Sequence, residues 1–258
     1  MGNLLAVSKE KIRVALKVLF EYKANLYSVF IFDFFLVFAY GFFYFIFGEF
    51  IFEILGWSNY DFILYFIAVF LSSKCKWGLS LMFFSSRLLN GKLNTLLTKP
   101  VNPYFYQTLF YDRGGSNIIY VPFLFVVFFI VSLFLNYNIY LSLISMLVIL
   151  LGILLEILVI NFLESLAFFI KKNEFLVNLF LNVLFFNETY TPKLMASMTN
   201  LFYLLPTSIY GFFVIELLNN RYDLFLTLLP WFILSCVVLS VLIKLLWVFG
   251  LKRYEAYG

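Results

Sequence analysis

The sequence predicts an all-α integral membrane protein, and three observations carry that expectation. First, 64% of its 258 residues fall in the set AVILMFWYC and the mean hydropathy is +0.99, against about 45–50% apolar in soluble chains. Second, only 12% of residues are charged, about half of the usual ~25%, and the shortage is concentrated in long runs. The run from Gly114 to Leu155 has no charge over 42 positions. Third, the 37 Phe and 18 Tyr, beside 6 Pro and 12 Gly, suit lipid-facing helices and exclude disordered, collagen-like and disulfide-stapled classes.

Histidine is absent, which removes the usual zinc sites, Ser-His-Asp and Cys-His nucleophiles, and histidine proton relays. No catalytic residue and no metal ligand set is expected, and the chain is not expected to be an enzyme. Cys75 and Cys236 lie inside apolar runs, where a small buried hydrophobe is the ordinary reading.

A crossing needs about 20 mostly apolar residues. The long run from Gly114 therefore holds two spans, over 117–135 and 141–169, divided by Asn136-Tyr137-Asn138 in a tight hairpin. Upstream, 27–47, broken only by Asp33, and 60–86 predict two more. Near the end, 224–249 predicts another. The region between is harder: Phe175 to Asn187 is a charge-free run of 13, and Leu194 to Ile215 is one of 22 broken by Pro206 and Gly211.

Charge placement allows only one of the two to cross, without choosing which. With six crossings the inner side carries 13 of the 18 basic residues, from Lys9 to Arg253, and the outer side only Lys193 and Arg221. Such a bias puts both termini in the cytoplasm and makes the number of crossings even. The expected fifth span is 174–191, with 194–215 as a re-entrant hairpin whose irregular backbone protein must cover. The whole of 1–258 then forms one transmembrane domain in the cell membrane.

Residues 8–24 precede the first span and predict an amphipathic interfacial helix. At 100° per residue Ile12, Ala15, Leu16, Leu19 and Phe20 share one face, and Lys9, Arg13 and Lys17 form a stripe on the other, as for a helix on anionic lipid. A plain basic stop anchor is the simpler alternative. Five basic residues and no small-residue cleavage site argue against a signal peptide, and Ala6 stands where myristoylation needs Ser or Thr.

The longest cytoplasmic connection, 87–112, is more than a loop. Gly91 can end a helix, after which Leu93, Leu96 and Leu97 share one face of a short helix ended by Lys99-Pro100. Val101-Asn102-Pro103 then forces an extended turn before the aromatic cluster Tyr104, Phe105 and Tyr106. On physical grounds alone this is equally a docking element or a membrane-surface helix.

Two strings and the order of elements resemble the permease subunit of an ATP-binding-cassette (ABC) exporter of the type-2 (ABC-2-like) class. Gly91 to Pro103, reading GKLNTLLTKPVNP, is similar to the G-x-L-x-x-L-L-x-[KR]-P-[LV]-[ND]-P stretch of a bacterial and archaeal branch of those permeases. Gly250 to Gly258, reading GLKRYEAYG, resembles that branch's G-L-[KR]-R-Y-E-[SA]-x-G ending. The resemblance implies that Leu93, Leu96, Leu97, Lys99, Pro100, Val101, Asn102 and Pro103 couple the spans to a separate ABC ATPase. It further implies two ATPase copies beneath two permease chains, the second the same or a sister, with export as the activity. No cofactor is expected on this chain. It has no G-x-x-x-x-G-K-[ST] to cradle phosphates, so ATP falls to the partner. Membrane lipid is an expected partner and nucleic acid is not. The outer hairpin, 187–218, matches the family only loosely.

The charges left within spans are Asp33, Lys74, Lys76, Glu156, Glu164 and Lys244. Each costs roughly 2.5–3.5 kcal/mol at a helix centre facing lipid, so they should face protein or water. Glu164 and Lys244 lie near cytoplasmic ends, where snorkelling or structural pairing suffices. Lys74 and Glu156 are nearer the middle and are expected either to pair, fixing the second span against the fourth, or to line a polar route; Lys76 is the alternative partner. Asn187-Glu188-Thr189 fits a glycosylation sequon, with chance the better reading. A secondary transporter would show broken helices in both halves, whereas the Pro-broken segment here is in the second half only. A membrane assembly or structural protein is the other alternative.

Overall fold

The computed structural model describes residues 54–98, 102–110, 115–170, 173–189, 191–193 and 199–254, with eight isolated positions between 13 and 42. Helix is the only regular structure among the described residues. The expected interfacial helix over 8–24, the span over 27–47 and Asp33 lie outside these continuous segments, as do Lys99, Pro100, Val101 and residues 255–258.

Helix α1 covers Asn59–Leu79, α2 Phe84–Leu89, α3 Asn94–Leu97, α4 Pro103–Phe110 and α5 Gly115–Phe134; α6 runs over Ile139–Ser165 and tightens into a 3₁₀ turn at Leu166–Phe168. Then follow α7 Glu174–Thr189, α8 Thr199–Tyr203, α9 Pro206–Tyr210, α10 Phe212–Leu218 and α11 Asp223–Arg253. Among the described residues two helices are long and apolar enough to cross a membrane, Ile139–Phe168 with 30 residues and Asp223–Arg253 with 31. At about 1.5 Å per residue each exceeds the ~30 Å hydrocarbon core. Composition and helices together make this an all-α membrane protein.

Local chemistry sets the helix ends. Ser58 opens α1 with a capping box, its Oγ accepting from Asp61 N at 3.3 Å while Asp61 Oδ2 accepts from Ser58 N at 2.7 Å. The predicted hairpin at Asn136-Tyr137-Asn138 forms between α5 and α6. Asn136 takes the left-handed conformation at φ 63°, Tyr137 N returns to Ser132 O at 3.1 Å, and Asn138 Oδ1 caps α6 through Tyr140 N at 2.8 Å. Gly91 at φ 67° closes α2 in the same manner, with Lys92 N on Arg87 O at 3.1 Å. Gly91 thus ends a helix as expected, but a short one.

The expected span over 60–86 is not one helix. Helix α1 stops at Leu79, Phe83 turns left-handed at φ 64°, and α2 restarts at Phe84. Side chains of α6 hold the break open. Asn161 Oδ1 accepts from Leu81 N at 2.7 Å, and Glu164 accepts from Phe83 N at 2.8 Å and Ser85 N at 3.2 Å. Amides that a continuous helix would satisfy internally are satisfied here across the bundle.

Helix α6 is the centre of the packing, touching α1, α5, α7, α9, α10 and α11. Its buried face carries Ser142, Ser145, Ile149, Gly152, Glu156, Ile160 and Glu164 at three- and four-residue spacings. Small residues on such a stripe let backbones approach. A Cβ on Gly152 would lie 2.9 Å from Tyr210 N, and one on Gly211 would lie 2.7 Å from Tyr65 Cε2. The segment from Pro206 to Leu218, buried at every residue, is therefore wedged between α6 and α1.

Candidate functional site

Three charged side chains of the bundle interior, Lys76, Glu156 and Glu188, meet at one place. Helix α1 presents Tyr65, Ser72 and Lys76 toward α6, α6 supplies Glu156, the last turn of α7 supplies Glu188, and α9 supplies Tyr210. Lys76 Nζ lies 2.9 Å from Glu156 Oε1 and 3.3 Å from Glu188 Oε1. Ser72 Oγ donates to Glu156 Oε2 at 2.6 Å, Tyr210 OH donates to Glu188 Oε1 at 2.8 Å, and Tyr65 OH donates to Glu188 O at 2.7 Å. One ammonium is shared by two carboxylates from different helices. Glu156 is fully buried. Removing one partner from such a cluster strands charge in a medium of low polarity, which costs about 3–5 kcal/mol.

Lys76, not Lys74, faces Glu156. Ser72, Cys75 and Lys76 belong to the inward face of α1 with Ala68 and Leu71, whereas Lys74 is rotated away and sits 4.8 Å from the centre of its own helix's Phe70 ring. The inward phase of α1 is legible in the spacing of Ala68, Ser72 and Lys76. Glu188 was not among the expected site residues. It ends a short apolar run, and its signal is that an acid there needs a cationic partner at similar depth.

At one end of the bundle the connection between α2 and α5 is packed against α6 and α11. Asn161 Nδ2 donates to Tyr104 OH at 3.1 Å, and Trp247 Nε1 donates to Ser165 Oγ at 2.9 Å. Trp247 also meets the rings of Phe84, Tyr104 and Phe168 at 5.1, 5.4 and 5.2 Å. Burial pushes the Tyr104 phenol above its ordinary range, against a smaller lowering by Asn161, so it acts as a neutral hydrogen-bonding group.

Within this connection the expected apolar face is divided. Leu93 is 1% exposed and belongs to the core, whereas Leu97 is 46% exposed. Asn94, Thr95 and Thr98 are exposed beside Leu97. Asn102 Oδ1 accepts from Tyr104 N at 3.0 Å, making the turn that starts α4 at Pro103. Helix α3 is a single turn, and its core-side neighbour Leu93 is committed to this chain.

At the other end a second network closes α10 onto the start of α1. Trp57 Nε1 donates to Glu216 Oε1 at 2.8 Å, and Lys193 Nζ lies 3.3 Å from Glu216 Oε2. Asp61 Oδ1 accepts from Tyr137 OH at 2.7 Å and Asn219 Nδ2 at 2.9 Å. The Tyr137 phenol is pushed up by burial first and then by the Asp61 carboxylate. Arg221 donates to Gly56 O at 3.0 Å, fixing the turn between α10 and α11.

The arrangement therefore has a charged cluster in the interior of the bundle at Glu156 of α6, a packed connection with an exposed helical turn at one end, and a polar clasp at the other. Neither a curated protein nor a solved structure matches the chain at significance. The family model described as ABC-2 family transporter protein matches residues 34–258, which include α1 to α11 and both ends of the bundle. On that match, which covers well over half of its length, the chain belongs to the ABC-2 family of transporters.

Proposed function

We propose that the chain is the transmembrane permease subunit of an ATP-driven exporter, forming the translocation route as a dimer above two separate ABC ATPase subunits. The observation that carries this reading is the family match over 34–258, in a chain whose longest inner connection offers an exposed helical turn beside a firmly packed base. The base is Leu93, Tyr104 and their partners on α6 and α11. The exposed turn, with Leu97, is the surface that meets the ATPase. Its movement passes to α1 through the held break at residues 80–83.

The chain crosses the membrane six times with both termini inside, and 194–215 dips into the outer half as a re-entrant hairpin before α11. Three features support this topology. The basic residues divide 13 to 2, α6 and α11 are long enough to cross, and the Pro206–Leu218 segment has its irregular backbone covered by α1 and α6, as a non-helical break at membrane depth requires. Lys76, Glu156 and Glu188 then lie where α7 and the dipping segment meet the wall of the bundle. They hold the outer segment to the helix driven from within.

Purifying the tagged chain from its native membrane tests the reading. A stoichiometric ABC ATPase carrying the G-x-x-x-x-G-K-[ST] sequence should accompany it, and Leu97→Asp should remove transport-linked ATP hydrolysis while the chain stays inserted. A preparation that lacks an ATPase but still transports would overturn it.

A further inference from the structure

A groove of ≈ 530 Å³ lies on the other side of the packed connection, between α4 and the inner half of α11. Its floor is buried Leu158, Ile243 and Trp247, and its rim is exposed Phe105, Lys244 and Val248. Lys244 is the one charged residue on α11 between Asp223 and Lys252. It is exposed and has no ion pair or hydrogen bond among the described residues. It stands nine residues before Arg253, or about 13 Å along the helix. Among the described residues no carboxylate lines the groove.

An ammonium placed that far into an apolar face is unfavourable unless it reaches polar groups or a counter-ion. Two chemistries are thus side by side, an apolar trough running from Ser240 to Leu251 and a single unmatched cation on its rim. A soluble anion would satisfy the lysine and leave the trough empty. A neutral lipid would fill the trough and leave the lysine without a net counter-charge. An anionic phospholipid satisfies both, with an acyl chain over Ile243 and Trp247 and its phosphate on the snorkelled Lys244.

We infer that this groove is a binding site for an anionic phospholipid of the cytoplasmic leaflet, held by Lys244 and the α4–α11 trough. The choice of leaflet rests on the topology proposed above. Because α4 forms one wall, the lipid bridges the inner connection to the last helix and stabilises their packing.

The test uses the full chain, without any ATPase, in nanodiscs of phosphatidylcholine with and without phosphatidylglycerol, read by thermal unfolding. Wild type should unfold at a higher temperature with phosphatidylglycerol, and titration should give an apparent affinity about fivefold lower for Lys244→Gln. Lys244→Arg should keep the response. Val248→Trp, which fills the rim and retains the lysine, should lose it. In pure phosphatidylcholine all four proteins should unfold alike, which separates a lipid effect from a folding defect. An unchanged phosphatidylglycerol response in both Lys244→Gln and Val248→Trp overturns the site. An equal shift from inorganic phosphate alone overturns the lipid in favour of a soluble anion. A Lys244-independent dimer that buries Val248 overturns it in favour of a second copy. None of these outcomes bears on whether an ATPase copurifies.

Discussion

The segment Pro206–Leu218 and helix α11 make opposite use of apolar sequence. In α11, 31 residues of nearly unbroken hydrophobicity bury only Phe225, Phe232, Cys236, Ile243, Trp247 and Gly250. In Pro206–Leu218, a proline, a glycine, a glutamate and the hydroxyls of Thr207, Ser208 and Tyr210 interrupt the pattern, and every residue is buried. In water the more apolar segment would be the inner one. In lipid the solvent is itself apolar, so hydrophobicity alone does not drive a helix inward. What draws a segment inside is the need to satisfy polar groups and the close approach that small residues allow.

That contrast can be broken at several points. The largest effect is expected from Lys76→Met, which leaves Glu156 and Glu188 facing each other. It should lower stability by about 3–5 kcal/mol, measured by denaturation of the purified protein in detergent micelles. Leu93→Asp should be similarly severe, because it puts a charge into the core, while Leu97→Asp on the same short turn should leave the unfolding midpoint within about 0.5 kcal/mol of wild type. Equal losses from the two leucines would mean that the turn is packed differently.

Gly152→Ala comes next. Its methyl would meet the α9 backbone at 2.9 Å, a contact that backbone cannot yield cheaply, so a loss of about 1–3 kcal/mol is expected. Val238→Ala on the exposed face of α11 is the matched control, with a change within about 0.5 kcal/mol. If both substitutions were equally harmless, the Pro206–Leu218 segment would not be seated on α6. The smallest effect is expected from Tyr137→Phe, which removes one hydrogen bond to Asp61 and should cost about 1 kcal/mol, visible as a modest fall in the unfolding midpoint.

The sequence was most informative where lipid is the environment. Long charge-free runs placed α5, α6 and α11 within a few residues, because the cost of a charge in hydrocarbon writes helix length directly into composition. Asn136 to Asn138 marked the turn between α5 and α6, because the left-handed position favours Asn and Gly. Where protein is the environment, local composition carries less information. The break after Leu79 is imposed by Asn161 and Glu164, some 80 residues away in sequence, and nothing local in 60–86 announces it. Leu93 and Leu97 share a helical face by spacing, yet the chain's own core claims only the first.

The charged cluster was half legible. That Glu156 needs a lysine of α1 follows from the cost of burying it, but Lys74 and Lys76 differ only in helical phase, and Lys76 is the one turned inward. Glu188 stands near the end of the expected span over 174–191, where an acid reads as a residue at the membrane boundary. Its interior place follows only once the Pro206–Leu218 segment is seen to cover that end.

A pair of double-mutant cycles on the purified protein tests most directly the idea that polar contacts, rather than hydrophobicity, hold the Pro206–Leu218 segment and α7 against α1 and α6. One cycle combines Lys76→Met with Glu156→Gln, and the other combines Lys74→Met with Glu156→Gln, both read as changes in unfolding free energy. The first should deviate from additivity by about 1–3 kcal/mol, with the double variant less damaged than the sum, and the second should be additive within about 0.5 kcal/mol. Additivity for Lys76, or coupling to Lys74 in its place, would contradict the cluster and with it the placement of the segment it anchors.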